Sequence, residues 1–124
     1  PDRFQQPNPF RADVAVSIDD VIEPVLDAIT VMESQFFEGG ANGYPGIVPD
    51  DEAGKVRRKQ EVRLRMANRY KRLAQKYRDT LTKFYGTSRA QATQYAQVFQ
   101  ICEYGRQPSQ KELRILFPFF PTAD

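Results

Sequence analysis

The chain has 124 residues, 40% of them hydrophobic and 12% aromatic, which suits a modest globular core and one domain at most. It has no histidine and a single cysteine, Cys102. That excludes a self-contained His-based catalytic centre, an ordinary zinc site and a disulfide framework, and narrows any catalysis to carboxylates, Tyr, Lys and Ser. Net charge is only +2, yet residues 1–54 carry two Arg against eleven acids, and residues 55–83 carry twelve Lys/Arg against Glu61 and Asp79. Such a partition points to a nucleic-acid surface or to two oppositely charged parts that meet in the fold.

In chain order, Pro1–Pro9 is rich in Pro and polar residues and reads as an irregular loop. Asp13–Ile18 is β-branched and reads as a buried strand. Asp19 and Asp20, with Glu23 three residues after Asp20, resemble a capping box at the start of a helix. Pro24 falls in that helix's first turn, where its missing N–H does least damage. Ile22, Val25, Leu26, Ile29, Met32 and Phe36 give it one apolar face, and Gly39-Gly40 stops it.

The stretch 39–54 holds five Gly, two Pro and Asn42, and reads as a long exposed loop. Val62, Met66, Tyr70, Leu73, Tyr77, Leu81 and Phe84 then recur at four- and three-residue steps. That spacing predicts one basic amphipathic helix over about 56–85, ended by Gly86. Thr87–Thr93 reads as a loop or short helix, and Tyr95–Tyr104 as a second strand stopped by Gly105. Ser109 and Glu112 mark the capped entry to a last short helix. The apolar tail Phe117–Pro121 is expected to pack onto the core. No apolar run reaches the length of a membrane span, and no signal-like segment opens the sequence. One Cys and no such segment fit a cytoplasmic location. Two strands cannot bury themselves, so further strands are expected from another chain or from a longer sequence of which this is the end.

Several residue groups carry two readings each. The basic helix could track a phosphate backbone, but its cations spread over everything that the apolar stripe leaves free. That favours a solvated or intramolecular role, with nucleic acid the less favoured partner. Asp19-Asp20 could hold a hard cation, although helix capping is the stronger reading. Asp50-Asp51-Glu52 reads as an exposed acid cluster. Glu33-Ser34-Gln35 lies at a helix end beside the Gly-rich loop, a sensible place for substrate contacts, although by composition alone it is ordinary surface. Tyr104 and Arg106 close a strand, where α/β proteins place ligand contacts, or else Arg106 simply pairs with a nearby acid.

Phe10–Val21, followed by a helix ending Met32-Glu33-Ser34-Gln35-Phe36-Phe37-Glu38, resembles the C-terminal part of the PIG-L/LmbE-like deacetylases. In that family a strand of the type P-D-V-x-V-x-I-[DST]-D leads into a helix ending in S-Q. Tyr95 through Phe99 to Tyr104-Gly105 is similar to the family's closing strand, A-E-A-F-x-x-x-x-Y. The resemblance spans most of residues 10–105 and is most specific over Asp13–Phe37. It implies a Rossmann-like three-layer α/β fold, of which this chain is the C-terminal part (strand, helix, loop, long helix, strand, short helix). It also implies zinc-dependent removal of an N-acetyl group from an N-acetylglucosamine-type sugar. The family's metal motifs, A-H-P-D-D and H-x-x-H, do not occur in this sequence. Met32 stands where the family often has a His shortly before S-Q.

On this resemblance zinc belongs to the complete enzyme, and this chain by itself is inactive, with no catalytic and no metal-binding residues. Its partner is the remainder of the domain, and its substrate contacts are Ser34, Gln35, Tyr104 and Arg106, with the 39–54 loop as a lid. The alternative is a non-catalytic module whose basic helix binds nucleic acid or an acidic partner.

Overall fold

The computed structural model describes residues 9–121, so the irregular opening expected for Pro1–Pro9 falls, apart from Pro9, outside the described residues. Two strands, β1 (Val14–Ser17) and β2 (Ala96–Phe99), pair antiparallel with Val14 opposite Phe99 and Ser17 opposite Ala96. Among the described residues, five α-helices accompany them: α1 (Ile22–Thr30), α2 (Glu52–Lys76), α3 (Arg78–Tyr85), α4 (Thr87–Ala92) and α5 (Gln110–Leu116). The class is mixed α/β, mostly helical, with one small sheet.

β1 is buried along Val14, Ala15 and Val16, and because successive side chains alternate sides, both of its faces are covered. Helix α3 lies against β1 and α2 against β2. The main core joins these strands to Leu73, Leu81 and Phe84, and the apolar tail closes it. Phe120 stacks on Phe84 with ring centroids 4.5 Å apart and meets Tyr85 edge-on at 5.2 Å. A second core sets Leu26 and Ile29 of α1 against Val62 and Met66 of α2.

Two aspartates extend the short ladder beyond its four pairs. Asp13 accepts the Ile101 N–H at 2.9 Å, past the end of β2, and also binds the Arg11 guanidinium. Asp19 accepts the N–H groups of Gln94 (3.0 Å) and Tyr95 (2.6 Å), just before β2 begins. The free edge of β1 is partly covered as well. Ile18 donates to the Tyr95 carbonyl, so by alternation the Ser17 N–H points away from β2, and the Tyr85 hydroxyl accepts it at 3.2 Å. Burial pushes the Tyr85 phenol above its ordinary pKa, which keeps it neutral in that position.

Four sequence expectations are corrected by this arrangement. The capping role of Asp19-Asp20 is not realised: these residues form a 3₁₀ turn, and neither it nor α1 has a side-chain cap. Asp19 instead reaches a partner about 75 positions away, which no local pattern signals. The first helix ends at Thr30 rather than at Gly39-Gly40, because Met32 leaves helical geometry (φ −87°, ψ 69°) and a separate π-helical turn follows at Glu33–Phe37. The single helix expected over 56–85 is two, broken at Tyr77 (φ −112°, ψ 34°). Beyond the break, the Arg78 guanidinium donates to the carbonyls of Ala90 and Thr93, tying α3 to α4 while Thr80, Leu81 and Phe84 stay buried. The second strand stops at Phe99, since Asp13 takes the next available donor and Cys102–Gly105 turns.

Other expectations hold. Ser109 and Glu112 form a reciprocal capping box at α5. The acid cluster at 50–52 is exposed as expected but is not all loop: α2 starts at Glu52 rather than near 56, and the Asp51 carboxylate caps it by accepting the Gly54 N–H at 2.9 Å.

Candidate functional site

The segment from the π-helical turn to the start of α2 builds a cleft of about 440 Å³. It is lined by Glu33, Phe37 and Glu38, by Tyr44, Ile47 and Val48 of the segment that follows, and by Lys55 of α2. The sequence folds this way because glycine lets backbone approach backbone. A Cβ at Gly43 would stand 2.3 Å from the Glu38 carbonyl oxygen, and Gly39 sits at φ 91°. The loop expected at 39–54 is thus packed onto the turn it follows, with its own 3₁₀ turn at Gly40–Asn42. Arg58 of α2 secures the other end by donating to the Phe37 carbonyl at 3.2 Å through both Nε and Nη2.

The cleft's electrostatics are mixed. Glu33 and Glu38 bring two carboxylates, while Lys55 brings a cation that stays charged. The Lys55 pKa is raised chiefly by its hydrogen bond to Glu52 at 2.8 Å. Such a set can hold a polar, uncharged ligand through hydrogen bonds, with Tyr44 and Phe37 as apolar walls.

Of the four site residues expected from sequence, Ser34 and Gln35 lie exposed on the π-helical turn, one and two positions along the chain from Glu33 in the cleft wall. Gln35 borders Gly40, where an added Cβ would lie 3.5 Å from its side-chain oxygen. Tyr104 is 87% exposed in the turn after β2. Arg106 pairs with Glu112 at 2.5 Å, the bland outcome considered for it. Among the described residues, no hydrogen bond, ion pair or ring contact joins Ser34 or Gln35 to Tyr104 or Arg106. Sequence reasoning missed Glu38, Tyr44 and Lys55. The glycine density of 39–54 was the available signal, since so many glycines imply a chain packed closely on something.

Zinc does not fit this chain's own residues. The sequence has no histidine, and among the described residues no three metal-ligating side chains converge. Among the described residues, no helix is long and apolar enough to cross a membrane. Comparison with known protein families, characterised proteins and solved structures finds no match to this chain.

Proposed function

We propose that this chain is the C-terminal portion of a PIG-L/LmbE-like N-deacetylase, contributing a wall of the substrate cleft and none of the metal ligands. The observation that supports this most is local. The residues that carry the family resemblance, Asp13–Phe37, run from a buried strand through a helix into the turn holding Ser34 and Gln35. That turn stands beside a cleft large enough for a sugar-sized ligand and lined by hydrogen-bonding groups. In the complete enzyme, β1 and β2 would lie at one side of a larger Rossmann-like three-layer sheet. Exposed Phe99, Ile115, Leu116 and Phe119 would then meet the remainder of the domain.

In this role the chain's residues bind and orient. The Ser34 hydroxyl and the Gln35 amide would hold sugar hydroxyls, and the 39–54 segment would limit access of water to the cleft. No proton transfer is assigned to them.

The test uses the longer protein that contains this chain. Its sequence before Pro1 is expected to contain A-H-P-D-D and H-x-x-H, and the protein is expected to release acetate from N-acetylglucosamine-type substrates. Gln35→Ala should raise KM several-fold with a smaller change in kcat, as loss of a ground-state contact does. A longer protein without those motifs, or one with them whose KM ignores Gln35→Ala, Ser34→Ala and the pair together, overturns the proposal.

A further inference from the structure

Independent of the deacetylase reading, we infer that one face of α2 is a binding surface for the phosphate backbone of duplex nucleic acid. The sequence showed cations over the whole polar side of this helix, and the fold sorts them. Arg63 is taken by Glu23 at 2.5 Å and by Asp27. Arg58 is spent on the Phe37 carbonyl and on Glu61, Arg78 on α4, and Lys55 on Glu52. What remains includes Arg65, Arg69 and Arg72, which begin a straight row. Arg65, Arg69, Arg72 and Lys76 follow one another at four-, three- and four-residue steps. At 3.6 residues per turn they occupy an arc of about 60° and a length of about 16 Å.

These four line a groove of about 800 Å³ whose floor includes buried Met66 and Leu73. Among the described residues, no carboxylate pairs with Arg65, Arg69 or Arg72. Lys76 lies 5.0 Å from the centre of the Tyr77 ring, with its ammonium at the end of the row.

A linear polyanion matches a linear row of cations, whereas an acidic protein surface presents scattered carboxylates. Arginine's planar fork also suits phosphate oxygens bidentately. Duplex rather than single strand follows from the aromatics. Single-strand binders stack bases on exposed rings, but Tyr70 and Tyr77 are packed against the apolar cores, and Tyr77 meets Phe10 edge-on at 6.3 Å. No ring on this arc offers a base a platform, so the contacts are to backbone only and carry no sequence preference.

The experiment titrates the full 124-residue chain into a labelled duplex DNA of about 16 base pairs and follows fluorescence anisotropy over a range of salt concentrations. Neutralising three phosphates through Arg65, Arg69 and Arg72 predicts a slope of log K against log salt of about −2.7, so affinity falls roughly 40-fold between about 50 and 200 mM. The triple variant Arg65→Gln/Arg69→Gln/Arg72→Gln should lower the slope's magnitude by about 2.7, and Arg69→Gln alone by about 0.9. The triple variant Arg57→Gln/Lys59→Gln/Lys71→Gln removes the same charge off the arc and should leave the slope within about 1 of the parent. None of these side chains is buried, and circular dichroism checks each fold. If the first triple variant unfolds, the single variants decide. Absence of salt-dependent binding, equal losses in the two triple variants, or equal competition by a polyglutamate of the same charge would each overturn the inference.

Discussion

Replacing Asp19 tests whether this chain is held together by contacts that no local sequence rule reveals. Its carboxylate accepts the Tyr95 N–H at 2.6 Å, a part-buried contact, and the more exposed Gln94 N–H at 3.0 and 3.1 Å. In Asp19→Ala, water can reach the Gln94 donor, but the Tyr95 donor loses a charged acceptor at the point where β2 begins. Hydrogen bonds to charged groups contribute about 1.5–3 kcal/mol. With one of the two donors resolvated, a destabilisation of about 2 kcal/mol is expected. For a chain of this length that lowers Tm by roughly 6–10 °C. Asp20, the neighbour that a capping-box reading treats as equivalent, is exposed and makes no such contact. Asp20→Ala should therefore cost within about 0.5 kcal/mol. Asp19→Asn keeps one acceptor oxygen and should fall between the two. Urea unfolding of the three variants with a common m value measures the differences directly. If Asp20→Ala costs as much as Asp19→Ala, the pair acts as a helix cap and the long-range role assigned to Asp19 is wrong.

Two further outcomes follow from single contacts. Gly54→Ala in a helix would ordinarily stabilise by about 1 kcal/mol. Here the new Cβ would stand 2.4 Å from Pro49 Cβ and 2.5 Å from the Asp51 carboxylate, so a loss of about 1–3 kcal/mol is expected in thermal unfolding. A gain in stability would refute the close packing of the 49–54 turn. At α5, the backbone N–H of Ser109, then its hydroxyl, then Arg106 hold the Glu112 carboxyl down to about 2 from its ordinary 4.5. The unfolded chain therefore binds this proton more readily, so the cap stabilises fully above pH 4.5 and is lost as pH falls toward 2. The stability difference between the parent and Glu112→Gln should shrink across that interval. A difference that persists unchanged at pH 2 would sink the assignment.

Local periodicity made much of the framework legible. The recurrence of Val62, Met66, Leu73, Leu81 and Phe84 identified core positions that are indeed buried. The Ser109–Glu112 spacing located the start of α5, and Gly86 (φ 74°) ended α3 as its type suggests. Both strands lie within the runs read as strands, the β-branched Asp13–Ile18 and Tyr95–Tyr104, though each is shorter than expected. The candidate cleft was half visible: the Glu33–Gln35 turn and the glycine-rich stretch could be singled out, but not that one is packed on the other.

What the sequence determined by itself depends on interactions reaching no further than one helical turn: amphipathic phase, caps and glycine stops. The tertiary structure decided the rest. Asp19 serves β2 rather than its own helix because its donors lie about 75 positions away. The 56–85 helix breaks at Tyr77, and beyond that residue α3 packs on β1 and Arg78 reaches α4. The cations of α2 separate into spent and unspent only once Glu23, Asp27 and the Phe37 carbonyl are folded against them. A residue's charge is written in the sequence, but whether that charge is already satisfied depends on neighbours that only the folded chain supplies.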